Sequence, residues 1–285
     1  MFLRSLPVAL DDLLEQNAIV PVCPAVFIRL TQAISSPDTH QTELAEILSS
    51  DAGLTSRILH VANSAFYGAP RQVASIKKAI LRLGIREIWA IASALRAKSM
   101  FRSGAGWTEF NRVLWEHALR TAALTRVLAQ HVRAPNCDET FTAALLHDLG
   151  KSVLQSFEPQ YALLCQNGAL VGRELTFIEA DFFGTNHAQL GSELLLHWDL
   201  PESIASLVSG HHTQLPPNIT KSSSSLLLAL ANELAHAMAQ GASEEGEAIN
   251  RIVSKQLLDA ADLNPKSCLS LMAKATQQFD TLASK

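Results

Sequence analysis

The sequence predicts an all-α protein. Apolar residues recur at helical spacing over most of the chain. Alternating strand patterns joined by hairpin turns are missing. The breaks between apolar stripes carry helix caps and loop residues rather than strand-turn signals.

The elements can be read in order. Leu44, Ile47 and Leu48 form one stripe. Leu54, Ile58 and Leu59 form the next, behind Asp51 as an N-cap. Asn63-Ser64 reads as a capping or turn element joining helices, with contact to a partner as the alternative. Ser103-Gly104-Ala105-Gly106 separates two helical blocks. Val113, Leu114, Leu124 and Leu128 then recur between Asn111 and Gln130, and Ala134-Pro135-Asn136 ends that helix. Leu190, Leu194 and Leu195 precede Trp198, and another apolar helix covers Ile204 to Val208. Pro216-Pro217-Asn218 and Ser222 to Ser225 make a surface loop, and Gly241 to Gly246 a polar one. Asn264-Pro265 looks like a helix start, with Asn as cap and Pro in the first turn. Glu245 to Leu282 is helical by pattern, through Ile252, Val253, Leu257, Leu258, Leu269, Leu271 and Met272. The expected organisation is an N-terminal helical subdomain (1–103), a second helical subdomain (104–240) and C-terminal helices (241–285) that pack on the body. Dimerisation or partner contact is the alternative role of those last helices. Trp89, Trp107, Trp115 and Trp198 are read as core or interface anchors.

Composition narrows the classes. Over 285 residues, 48% are hydrophobic, enough for a sizeable core. The net charge is -4 and no basic stripe with interleaved aromatics is present, so direct nucleic-acid binding is not expected. Cys23, Cys137, Cys165 and Cys268 are scattered, without a CxxC pair. They read as free thiols in a reducing compartment. The N-terminus reaches Asp11-Asp12 too soon for a signal-peptide core, and no apolar run would span a membrane. A cytoplasmic protein is expected.

The residues that carry chemistry are His117, His147, Asp148, His187, His211 and His212. His147-Asp148 sits in the apolar run Ala143 to Gly150, where a carboxylate needs a cation or strong donors. Adjacent residues diverge by about 100° on a regular helix, so the pair could converge on one ion only from a helix end. Gly150 would let the chain bend there. An Asp148–Lys151 ion pair is the competing reading. His117 points with the apolar face of its helix, as a ligand or as a satisfied core histidine. Thr185 or Asn186 would cap a helix with His187 in its first turn, which alone suggests an exposed residue. His211-His212 at a helix end suits a metal or an ordinary polar terminus. His40, His60, His131 and His197 show that histidine is not rare here. Together the six offer imidazole and carboxylate ligands for iron, manganese, zinc or nickel. Such a site could activate water and hold phosphate oxygens, with Lys151 beside it, so Asp148 and Lys151 are the candidate catalytic pair.

His147-Asp148-Leu149-Gly150-Lys151, with His117 upstream, resembles the HD phosphohydrolase superfamily. Leu6-Pro7 or Val22-Cys23-Pro24 before a helix, then Ile47 to Leu54, Leu59 to Ala65 and Ala79 to Gly84, resemble an HDOD domain. So do His187 to Gly191, Trp198-Asp199-Leu200-Pro201 and His211-His212, and the resemblance covers about residues 20 to 240. It implies a helical fold and a bacterial protein linked to signalling or gene regulation, in a family whose biochemical activity is generally not established. The ligand order also resembles the HD-GYP phosphodiesterases, which hydrolyse cyclic di-GMP at a multi-metal centre. By that likeness His117 stands at the first ligand position and His147, Asp148, His187, His211 and His212 at the next five. Two departures stand out. Asn232 replaces the closing aspartate of HD hydrolases, and no Gly-Tyr-Pro element follows His212. A non-catalytic signalling module with a retained metal site is the leading expectation, answering to a separate signalling protein or a nucleotide ligand because the length leaves no fused receiver or output domain. The alternatives are a metal-dependent phosphohydrolase acting on a nucleotide or phosphate ester, and a nucleotide sensor without turnover.

Overall fold

The computed structural model describes residues 21, 23–36, 41–64, 72–102, 107–135, 137–166, 173–241 and 246–283. Met1 to Asp12 (including Leu6-Pro7), Val22, His40, Ala65, the Ser103 to Gly106 break, Asn136 and residues 242–245 lie outside them. Among the described residues every regular element is helical, as the stripes predict. None of these helices is long and apolar enough to cross a membrane.

Five helices come first: α1 (Ala25–Ser35), α2 (Gln41–Ser49), α3 (Ala52–Ala62), α4 (Ile76–Leu83) and α5 (Ile85–Arg102). Asp51 caps α3, its Oδ1 accepting from the Leu54 amide at 2.9 Å. Asn63 ends α3 and ties the chain back, exchanging two hydrogen bonds with the Val73 backbone at 2.8 and 2.9 Å. Gly84 closes α4 at φ 81°, a conformation that glycine adopts without a Cβ penalty. Helix α5 is buried around much of its girth, from Ile88 to Phe101.

Helix α6 (Glu109–Val132) is the spine. At 24 residues it runs about 36 Å, from the Thr108 cap to Arg133 in the left-handed region. Its buried arc contains Leu114, His117, Leu124 and Leu128, while Val113, about 100° round from Leu114, is half exposed. Around it follow α7 (Cys137–Leu146), α8 (Leu149–Phe157), α9 (Tyr161–Gln166), α10 (Arg173–Phe183), α11 (His187–His197), α12 (Glu202–Gly210), α13 (Ser224–Ala239), α14 (Gly246–Ile252), α15 (Lys255–Ala261) and α16 (Pro265–Ala283).

Two hydrophobic clusters meet along α6. The first joins α1–α5 to α7, α8, α11 and α12, and takes Leu114, Trp115 and Ala118 from α6. Trp89 of α5 packs on Phe141 of α7, and Phe101 on Trp115, at centroid distances of 5.5 and 5.8 Å. The second joins Leu124, Val127 and Leu128 to α13 and the C-terminal helices through Leu230, Leu258 and Met272. Asn264 caps α16, accepting from the Ser267 amide at 2.9 Å. Trp107 departs from the expected anchoring role: it is 40% exposed, with Arg102 over its ring. The four cysteines are free thiols.

Candidate metal centre

His147 and Asp148 occupy the two-residue break between α7 and α8. A regular helix would turn them apart, and the break lets both point inward. Gly150 acts differently from the expected hinge. It lies in the first turn of α8, and a Cβ built there would stand 2.0 Å from the His187 carbonyl oxygen. Its missing side chain lets the starts of α8 and α11 touch, which brings His187 to Asp148.

Asn186 caps α11, its Oδ1 accepting from the Ala188 and Gln189 amides at 3.0 Å each. His187 is therefore in the first turn, as expected, but fully buried rather than exposed. His211 caps the C-terminus of α12, and His212 follows it. His117 enters from α6. The six residues singled out from the sequence come together, the five histidines gathering around the Asp148 carboxylate. Asp148 Oδ1 lies 3.4 Å from His187 Nε2 and 3.8 Å from His211 Nε2. Asp148 Oδ2 lies 3.4 Å from His147 Nε2 and 3.8 Å from His117 Nε2. His212 Nε2 is 3.1 Å from His187 Nε2.

The outer nitrogens fix the inner ones. His147 Nδ1 lies 2.8 Å from the Ala144 carbonyl, and His211 Nδ1 lies 2.6 Å from that of Val208. His187 Nδ1 lies 2.6 Å from Glu179 Oε2, which also accepts from the His187 amide at 2.9 Å. Carbonyls and carboxylates only accept, so each Nδ1 carries the proton. In the neutral ring the Nε2 lone pair then faces Asp148. Burial pushes the His211 pKa down to about 4, keeping that ring neutral near pH 7. Burial alone would raise the Asp148 pKa, but the Lys151 ammonium beside it holds it well below the usual carboxylate range. Lone pairs are thus aimed at an anion. His147 Nε2, His211 Nε2 and Asp148 Oδ1 are all buried without a hydrogen-bond partner.

A divalent cation resolves that arrangement. Ligand atoms about 2.1 Å from a tetrahedral ion stand roughly 3.4 Å from one another. The donor atoms form two overlapping sets, each with its atoms within 4.8 Å of one another, Asp148-His187-His211-His212 and His117-His147-Asp148, with Asp148 common to both. The hydrogen-bonded outer nitrogens are the supports that metal-bound histidines require.

The two sets are unequal. His117 Nε2 is 2.8 Å from Asn232 Oδ1, and the His236 ring stacks on His117 at 4.2 Å. Lys151 forms the ion pair that the sequence also suggested, donating to Asp148 Oδ2 at 2.9 Å. Sequence reasoning missed Glu179, which is fully buried and also accepts from the Tyr161 hydroxyl. It missed His236, one helical turn beyond Asn232, and that spacing was the available signal.

Above this cluster opens a cavity of about 400 Å³, with His211, His212, Asn232 and His236 at its floor. Gln240, Ser254 and Gln256 line its wall.

The comparisons with known proteins bear on the fold and the family. The HDOD domain model matches residues 20–214. An uncharacterized protein of Treponema pallidum is 26% identical over 196 residues, 68% of this chain, and the chain spans 37% of that protein's length. An HDOD domain protein of unknown function from Geobacter sulfurreducens superposes with a TM-score of 0.69 at 24% identity, over 92% of this chain and 93% of its own. A candidate phosphohydrolase of Shewanella amazonensis gives 0.70 at 20% identity, over 95% and 97%. A candidate signal transduction protein of Marinobacter aquaeolei gives 0.68 at 20%, over 95% of this chain and 60% of its own. At these identities the structures show the shared fold, and the family match rests on two thirds of the sequence: the chain belongs to the HDOD domain family.

Proposed function

We propose that this chain is a regulatory HDOD module that holds one divalent ion on Asp148, His187, His211 and His212 and does not turn over phosphate esters. The observation that carries this reading is the contact between His117 Nε2 and Asn232 Oδ1. In either amide orientation, Asn232 engages that nitrogen: its oxygen accepts from Nε2–H, or its NH2 donates to the Nε2 lone pair. The first ligand of the His117-His147-Asp148 set is therefore occupied, and the closing residue brings no negative charge. The other set keeps three imidazoles and a carboxylate, a donor group suited to zinc, iron, nickel or manganese. A divalent ion bound there supplies Lewis-acid charge. Lys151 balances Asp148 from the opposite side.

The test is metal content by mass spectrometry with parallel hydrolysis assays. One equivalent of transition metal per chain is expected, lost in Asp148→Ala and His211→Ala. Asn232→Asp should raise the content towards two. Nitrophenyl phosphate mono- and diesters should be hydrolysed at background rate. Metal-dependent turnover abolished by Asp148→Ala would overturn the regulatory reading, and failure to bind metal after reconstitution would overturn the metal site.

The cavity favours a second reading, a metal-dependent phosphohydrolase acting on a nucleotide or phosphate ester. Its lining joins His211 and His212 to Gln240, Ser254 and Gln256 and to Leu215, Ile252 and Leu257, a mixed surface for the organic part of such a ligand. A nucleotide that raises Tm without yielding product would support sensing, and product would support hydrolysis. At a hundredfold over Kd, binding adds about 2.7 kcal/mol.

A further inference from the structure

A second concave site lies between α3 and α5 and shares no residue with the metal centre or its cavity. It is an open hollow of about 270 Å³ lined by Arg57, Arg96, Lys98 and Arg102, together with Gly53 and Ser99. Four of the chain's 23 Lys and Arg residues meet there, in a protein of net charge -4. No carboxylate is among the residues that line it. The nearby Asp51 caps α3 and pairs with Arg96. That pair fixes one guanidinium, and Arg102 is held at 5.6 Å over the Trp107 ring.

Gathering these cations is unfavourable by itself. Burial, then the charges of Arg102 and Arg57, pull the Lys98 pKa below its usual value. A multiply charged anion would relieve that repulsion and find fork-shaped guanidinium donors suited to phosphate oxygens. The small volume of the cavity points to a small molecule. A nucleic-acid backbone would call for a stripe of cations tracking many phosphates.

We propose that the cavity between α3 and α5 binds the phosphate or diphosphate group of a small phosphorylated molecule through Arg57, Arg96, Lys98 and Arg102. This site stands apart from the proposed function and survives or fails independently of the metal.

Inorganic pyrophosphate is the probe, titrated by calorimetry into the purified full chain at low salt. Saturable binding is expected, weakened at least tenfold in both Arg57→Gln and Lys98→Gln and unchanged in Asp148→Ala. Arg57 is exposed, so its variant carries the test even if Lys98→Gln fails to fold. Binding should weaken as salt rises. Loss of binding in Asp148→Ala with no change in Arg57→Gln would assign the anion to the metal centre and overturn the proposal. So would the absence of saturable binding.

Discussion

The Gly150 Cα faces the His187 carbonyl so closely that a methyl group there would sit 2.0 Å from the oxygen and 3.0 Å from the Gly191 amide nitrogen. Both obstacles are backbone, so no side chain can swing aside. Gly150→Ala should therefore push α8 and α11 apart, costing about 3 kcal/mol or more of stability. It should also abolish metal binding, since Asp148 and His187 sit on those two helices. Denaturant unfolding and metal content check this together. An alanine variant with wild-type metal occupancy would contradict it.

Glu179 works through His187. It holds Nδ1 at 2.6 Å and so selects the ring form that presents Nε2 inward. Burial would raise its pKa, but the hydrogen bonds from the His187 ring and amide, together with that from the Tyr161 hydroxyl, hold it low. Glu179→Gln keeps the shape and removes the charge. Metal affinity should fall by about 10- to 100-fold, the usual effect of losing such a support. Competition against a chromophoric chelator measures it, with circular dichroism unchanged.

Lys151 and Asp148 form a buried pair at 2.9 Å. Removing one partner of a buried pair costs about 3–5 kcal/mol, because the other charge is left uncompensated. Lys151→Met should show that loss after chelation. The loss should shrink when metal is added, because the ion supplies positive charge to the same carboxylate. Equal destabilisation with and without metal would separate Asp148 from the metal.

Thiol reactivity carries the pH prediction. Burial pushes the Cys23 pKa up to about 12 and those of Cys165 and Cys268 to about 11. A raised thiol pKa means less thiolate at a given pH. At pH 8 these groups hold at least about two hundredfold less thiolate than a free cysteine of pKa about 8.5. Native protein should react correspondingly more slowly with an aromatic disulfide reagent than denatured protein, and faster as pH rises.

The helices and most of the site were legible because they rest on local signals. Asp51, Asn186 and Asn264 announce the starts of α3, α11 and α16, and each cap is formed. The His147-Asp148 pair in an apolar run required a compensating environment, and the Lys151 ammonium and the surrounding ring of potential metal ligands provide for it. The role of Gly150 was not legible, since it depends on how close another helix comes. Glu179 carried no mark either, as its partners His187 and Tyr161 meet it only through tertiary packing. His187 looked exposed for the same reason. His236 follows Asn232 by four residues on α13, a periodicity that the apolar composition of that helix conceals.

Helix α6 gives Phe110 to Ala122 to one hydrophobic cluster and Ala123 to Ala129 to the other. Neither cluster is complete without its share of that rod, and the rod gains most of its stability from being clasped on both halves. The two cores are therefore bound into one cooperative unit. Loosening the C-terminal helices removes the brace from the very helix that presents His117, so damage far from the histidines should register at them before the protein melts.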